Sequence, residues 1–219
     1  MQTQYHEIYR YWTTNLCNGG NKDFPYSFAK GKKVLEIGCG SGNDAVRFVE
    51  SGANYTGIDL TLRAVASTIK KIHNKGLVRQ MNAEFIDFPD KHFDMVYSFG
   101  VIHHTVNPDR VMGEIYRVLK PGGQILIMLY NKFSYRYLIE IMILRKIAWF
   151  LHIPKFDYIR KQIPHPTKEQ WISINTDNVG CPMSRVYTKK QAEGLLWRFR
   201  KVTSFTTDNS WFRIIHGKK

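Results

Sequence analysis

Cysteine is scarce in this chain, and the little there is lies scattered. Cys17, Cys39 and Cys181 are the only three in 219 residues. They are an odd number, far apart, with no Cys-x-x-Cys pair, which argues against a disulfide framework and against a zinc site. A reducing, cytoplasmic setting with no bound metal is the expectation. Long apolar runs are missing as well. The strongest, Tyr137 to Leu151, is broken by Glu140, Arg145 and Lys146 and falls short of the ~20 residues that a bilayer span requires. Met1 to Arg10 is polar and aromatic, so no secretory leader is expected. Internal repeats and low-complexity tracts are absent, and a single domain over residues 1–219 suits the length. The 43% hydrophobic fraction is ordinary for a globular protein.

Acidic residues are also in short supply, 18 Asp+Glu against 32 Lys+Arg for a net charge of +14. The imbalance is local. Residues 1–131 hold 15 Lys+Arg and 12 Asp+Glu (+3), whereas residues 132–219 hold 17 and 6 (+11). A basic excess of this kind fits nucleic acid, an anionic lipid surface, an acidic protein partner, a phosphorylated substrate, or simply a solvated face.

What is present centres on Lys33 to Asp44, a short apolar strand that runs into a glycine-rich turn and then a helix. Val34, Leu35 and Ile37 suit a buried parallel strand, and Gly38, Gly40 and Gly42 let the backbone turn and approach a ligand closely. Asn43 to Glu50 carries Ala45, Val46, Phe48 and Val49 at near-helical spacing, which aims the free N–H groups of a helix N-terminus at that turn. A purely structural turn is the plain alternative. The pattern is Gly-x-Gly-x-Gly, since position 43 is Asn, and so departs from the nicotinamide and flavin fingerprint. A second apolar strand, Tyr55 to Leu60, ends in Asp59, where a carboxylate can accept bonds from two ribose hydroxyls or serve as a helix N-cap.

These residues resemble the class I S-adenosylmethionine-dependent methyltransferases, with Val34–Gly42 as the first motif and Gly57-Ile58-Asp59 as the acidic one. Met81-Asn82-Ala83-Glu84 resembles the adenine-contacting segment, Phe93–His104 the fourth strand with its active-site extension, and Leu119-Lys120-Pro121-Gly122-Gly123 the turn before the fifth strand. The resemblance implies a Rossmann-like α/β fold, a seven-stranded sheet in the order 3-2-1-4-5-7-6 with the last strand antiparallel and helices on both faces. It implies S-adenosyl-L-methionine as cofactor, bound by Glu36, Gly38, Cys39, Gly40, Gly42, Asp59, Leu60, Asn82, Ala83 and Ser98. Asn82 stands where the family often has Asp, so its adenine contact would lack charge.

The remaining expectations concern the acceptor. Residues 1–30 form an aromatic cap, in which Tyr5, Ile8, Tyr9 and Trp12 recur at helical spacing; the helix either lies over the cofactor mouth, with Tyr9 on the substrate, or merely packs. His103 and His104 follow the fourth strand on the crevice side and are the candidate general bases, or else shape the loop beneath the cofactor. Tyr130, Asn131 and Tyr187 are expected to line the acceptor pocket. Residues 132–184 read as an inserted lid. Its helix, Tyr137–Leu151, should turn Leu138, Ile141, Met142 and Trp149 to the pocket, and residues 152–184 read as a long irregular loop. Thr188 and Gln191 predict a capping box on a helix over 189–199.

The acceptor implied is a small apolar or amphipathic molecule, with the basic half suited to an anionic acceptor or to an acidic carrier protein that delivers it, and with peripheral membrane contact as a rival use of that half. An RNA or protein methyltransferase is the alternative. It is weakened because Ser98-Phe99-Gly100-Val101 replaces the Asn-Pro-Pro-Tyr signature, and nucleic acid is not expected as a partner. A non-catalytic cofactor-binding module and a thiol-based arsenic chemistry are further readings, the latter unsupported by the cysteine spacing. The sequence leaves the oligomeric state open.

Overall fold

The computed structural model describes residues 25–176, 181–206 and 212–219. The proposed N-terminal helix with Tyr9, together with Cys17 and Trp211, lies outside the described residues. Strand β1 (Lys33–Ile37) is buried from Val34 onward, as a strand with helices on both sides must be. It pairs in parallel with β2 (Asn54–Asp59) on one side and β4 (Phe93–Phe99) on the other. β3 (Leu77–Gln80) flanks β2, and β5 (Leu119–Asn131) flanks β4. The C-terminal hairpin, β7 (Arg200–Thr206) and β8 (Phe212–Lys218), joins through β8, which runs antiparallel to β5.

The sheet order is β3-β2-β1-β4-β5-β8-β7. This is the expected path, with one strand more than the seven anticipated. The extra strand, β6 (Val186–Tyr187), lies off that path against the tip of β5, where Tyr130 pairs with Val186 and Asn131 with Tyr187. Two residues carry too little periodicity to be read as a strand from sequence.

Helix α1 (Tyr26–Ala29) precedes β1. α2 (Asn43–Glu50) starts from Gly42, α3 (Leu62–Lys71) is capped by the Thr61 side chain, and α4 (Pro108–Val118) by Asn107 with proline at its first turn. The strand period of two divides β5 between two cores. Leu126, Met128 and Tyr130 join Phe48, Tyr55 and Tyr97 on one face. Ile125, Ile127 and Leu129 join Val111, Ile115 and Val118 of α4 on the other.

The insertion after β5 is more regular than its prolines foretell. Arg136–Leu144 is a π-helical stretch that runs into α5 (Arg145–Phe150), as the apolar run implied. The expected irregular loop instead holds a 3-10 turn at Pro154–Phe156 and two helices, α6 (Asp157–Gln162) and α7 (Lys168–Thr176). Pro164 and Pro166 precede α7 and leave its ladder intact. Thr167 and Gln170 form a reciprocal capping box at its start, Thr167 N–H to Gln170 Oε1 at 2.8 Å and Gln170 N–H to Thr167 Oγ1 at 3.2 Å, which ties up two otherwise orphaned N–H groups. The Trp171 indole then donates to the Ile141 carbonyl at 3.0 Å, which locks α7 to the π-helical segment.

Tyr137, Ile141, Trp171 and Ile172 belong to the same core cluster as Tyr130, with Met142 and Trp149 packed against it. Leu138, expected on the inner line, is instead 42% exposed, because the wider π turn gives that line to Tyr137 and Ile141. Downstream, the Thr188–Gln191 capping box forms, yet α8 (Lys189–Gly194) is shorter than the helix expected to reach Phe199. It ends at glycine, a poor helix former.

Candidate functional site

The C-terminal ends of β1, β2, β4 and β5 lie side by side, at the crevice where open α/β sheets take their ligands. Leaving β1, the Gly38 N–H donates to the Ile58 carbonyl at 2.7 Å, so the turn is stitched to β2. Gly38 has φ +78°, and a Cβ there would stand 2.2 Å from Val101 Cγ2, so both conformation and space demand glycine. Above Gly40, in contrast, the described residues leave open space: the nearest of their heavy atoms to an added Cβ, the Gly38 carbonyl oxygen, is 3.9 Å away.

Asp59 closes β2 and knits the crevice together. Its Oδ2 accepts the Gly40 N–H at 3.1 Å, and its Oδ1 accepts the Thr61 N–H at 2.9 Å and the Thr61 hydroxyl at 3.0 Å. The N-cap of α3 is Thr61, whose hydroxyl accepts the Ala64 N–H, so Asp59 is not the cap. Leu60 beside it is exposed. At the end of β3, Asn82 is exposed and folds into its own turn, Oδ1 accepting the Glu84 N–H at 2.9 Å, while Ala83 is buried. Ser98 is fully buried, and its hydroxyl donates to the Ile37 carbonyl at 3.2 Å, clamping β4 to β1. Burial pushes the Cys39 thiol up to about 11, which keeps it protonated and unreactive near neutral pH.

A group of acids and tyrosines flanks the turn, and most of it escaped the sequence reading. Glu36 is buried and accepts the Tyr55 hydroxyl at 2.5 Å. Asp44, in the first turn of α2, accepts Tyr26 at 2.6 Å and Tyr97 at 3.0 Å. Burial, followed by the charge of Asp44, holds the Glu36 carboxyl well above its usual range; burial likewise raises Asp44, against the hydrogen bonds from Tyr26 and Tyr97. Asp44 was legible as an acid at a helix N-terminus. The tyrosines were not, since only folding brings positions 26, 55 and 97 to one place.

Beyond β4 the chain makes a 3-10 turn, Ile102–His104. His103 is fully buried, its ring 4.1 Å from that of His104 and 3.9 Å from that of Tyr130, centroid to centroid. Neither ring nitrogen has a partner at hydrogen-bond geometry among the described residues. Burial, then the neighbouring His104, drives its pKa well below 6.5, with the Met128 backbone pulling weakly the other way. His103 is therefore a neutral ring.

His104 is half-buried, with Nδ1 2.9 Å from the Met183 carbonyl. A carbonyl only accepts, so Nδ1 carries the hydrogen, and the neutral tautomer compatible with this contact has its lone pair on Nε2. The strap before β6 secures this turn: the Arg185 N–H donates to the His103 carbonyl at 3.0 Å, and its guanidinium to the carbonyls of Thr105 and Val106.

The fold thus brings His103, His104 and Tyr130 together. Asn131 is buried at the end of β5, its Oδ1 accepting Arg213 at 3.3 Å and the Phe133 N–H at 3.4 Å. Tyr187 stands on the other face of the sheet, in the α4 and α8 core. There it lines a cavity of about 390 Å³ with Asp109, Arg185 and Leu195, apart from Tyr130.

Residues 35–127 match the family model described as a methyltransferase domain. A phosphatidylethanolamine N-methyltransferase of Cereibacter sphaeroides is 35% identical over 105 residues, 46% of this chain and 51% of that protein. A ubiquinone biosynthesis O-methyltransferase of Pseudomonas entomophila is 31% identical over 158 residues, 69% of this chain and 62% of that protein. The chain thus spans only about half to three-fifths of these two relatives. The 1,6-didemethyltoxoflavin-N1-methyltransferase of Burkholderia thailandensis, solved with S-adenosylhomocysteine bound, superposes over 100% of this chain and 84% of that one at 17% identity, with a TM-score of 0.60. At that identity the likeness is one of fold. The chain carries a class I S-adenosylmethionine-dependent methyltransferase domain.

Within the methyltransferase domain the residues present fit that cofactor. The open space above Gly40 admits a ligand close to the backbone, and Asp59 has the chemistry to take ribose hydroxyls at the crevice. Two enclosed carboxyls, Glu36 and Asp44, flank the turn, and the burial that raises both would be offset by a nearby cation such as S-adenosylmethionine, which is positive at both sulfur and amino group. Ser98 and Glu36 act from beneath, through the backbone and through Tyr55, whereas Gly38, Gly40 and Asp59 border the crevice itself.

Proposed function

We propose that this domain transfers a methyl group to a small amphipathic acceptor that enters beside the His103, His104 and Tyr130 rings, next to the inserted helices. S-adenosylmethionine supplies the methyl group on a positively charged sulfur. Such a displacement needs no acid for the leaving group, so the chain's work is placement and exclusion of water, worth up to ~7–11 kcal/mol. The observation that carries the reading is the apolar, aromatic layer of Tyr137, Ile141, Trp171 and Ile172, which packs in one core with Tyr130 and so fixes the inserted helices over the end of β5. Relatives named for phosphatidylethanolamine N-methylation and for O-methylation in ubiquinone biosynthesis support it. Both names point to amphipathic molecules.

Where the acceptor carries a proton at neutral pH, His104 takes the role of base, with Nε2 holding the lone pair and Nδ1 anchored on Met183. His103 positions it through ring contact. Full-length protein incubated with methyl-tritiated S-adenosylmethionine and a panel of amphipathic amines and phenols, RNA and protein tests the proposal. Label is expected in an amphipathic acceptor. Label in RNA or protein alone would overturn it.

A further inference from the structure

Among the described residues, the inserted helices present an apolar face that nothing covers. Of the seventeen large apolar side chains exposed among the described residues, eleven fall between Phe133 and Tyr158. On the helix itself Ile143 is 47%, Ile147 52% and Phe150 81% exposed. Solvent-facing helix surfaces are ordinarily polar, and a cluster of this kind marks an interaction surface.

Cations border the face. Lys146 and Lys168 line an apolar cavity of about 380 Å³ together with Met142, Trp149, Phe150 and Trp171. Of the three acids in residues 132–176, Glu140 and Asp157 are engaged in ion pairs with Arg145 and Arg160, and the third, Glu169, lies in the first turn of α7. Residues 132–176 hold 8 Lys+Arg against 3 Asp+Glu (+5). No helix among the described residues is long and apolar enough to cross a membrane, so the face can lie on a bilayer without entering it as a span. We infer that the Phe133–Tyr158 face docks on an anionic lipid surface, with Ile143, Ile147 and Phe150 in the interface and Lys146 and Lys168 at the headgroups. The charge favours this over a second copy of the chain, which would bring like charges together. The inference rests on the reading of an amphipathic acceptor only in its purpose, since docking is measured without one.

The test is flotation of the full chain with vesicles of phosphatidylcholine alone and of phosphatidylcholine and phosphatidylglycerol in equal parts, at low and high salt. Flotation is expected with the mixed vesicles, weakened by salt. The double variant Ile147→Ser, Phe150→Ser should bind roughly tenfold or more weakly, from the loss of two large buried apolar side chains. Lys146→Glu should lower binding to the mixed vesicles alone. S-adenosylhomocysteine affinity, unchanged across these exposed substitutions, shows that each variant is folded. Absence of flotation by the wild type, or equal flotation of wild type and double variant, overturns the inference. Self-association in sedimentation velocity that the double variant abolishes, without flotation, overturns it in favour of a second copy.

Discussion

Replacing His103 by phenylalanine should make the protein more stable. The ring is fully buried, and both nitrogens lack a partner at hydrogen-bond geometry among the described residues. An unsatisfied buried polar group costs about 1–3 kcal/mol. Phenylalanine has a similar shape and keeps the contacts with the rings of His104 and Tyr130 at 4.1 and 3.9 Å, so much of that cost is recovered. A gain of about 1–2 kcal/mol corresponds to a Tm about 2–8 °C higher for a domain of this size. The pH dependence gives a second handle. With the folded pKa well below 6.5, the unfolded chain binds the proton first as pH falls. Stability from the neutral ring is therefore complete above pH ~6.5 and drains away below it, at about 1.4 kcal/mol per pH unit, until the depressed folded pKa is reached. The advantage of His103→Phe should accordingly widen between pH 6.5 and 5.5. Thermal unfolding of both proteins across that range, followed by circular dichroism, reads out both effects. A variant that melts lower than wild type at pH 7.5, or whose advantage stays constant with pH, would show that the ring nitrogens are satisfied and that the reasoning fails.

Other expectations follow from the crevice and the insertion. Asp59→Ala removes three hydrogen bonds and the carboxylate proposed to hold the ribose; S-adenosylhomocysteine affinity should drop by about 1.5–3 kcal/mol in isothermal titration, and equal affinity would take Asp59 out of the site. Gly38→Ala forces a left-handed backbone and a 2.2 Å approach to Val101, so a loss of about 2–5 kcal/mol is expected. Adding Val101→Ala should return the packing part in urea melts; no rescue would mean that the clash does not govern. Thr167→Ala removes one half of the α7 capping box and should cost about 1 kcal/mol, with faster proteolysis of the insertion. Unchanged cleavage kinetics would deny the cap its role. His104→Gln should lower kcat for a hydroxyl acceptor by about 10²–10⁴-fold with little change in cofactor affinity, whereas His104-independent turnover would assign the residue to loop shaping.

The sheet was legible because its determinants are local and ordered along the chain. Apolar strands running into Gly38 to Gly42 and into Asp59, a fourth strand ending at Phe99, and a helix announced by Thr188 are such local signals, and the observed path of strands follows the expected order. The α7 capping box was equally present in Thr167 and Gln170, but the prolines at 164 and 166 masked it. They mark where that helix begins.

Other features exist only once distant residues meet. Tyr26, Tyr55 and Tyr97 enclose the carboxyls of Glu36 and Asp44 because α1, β2 and β4 converge beside one turn. The sequence placed Tyr130 and Tyr187 in one pocket, yet strand alternation sends them to opposite faces of the sheet, since Tyr187 is in register with Asn131. The same holds for the histidine pair. By itself the chain order put His103 and His104 beyond β4, at the crevice; burial against Tyr130 and the hydrogen bond to Met183 then made one a neutral packed ring and left the other half-exposed. Strand and helix identity follow from nearest neighbours in sequence, whereas desolvation, and with it protonation state and chemical role, follows from neighbours in space.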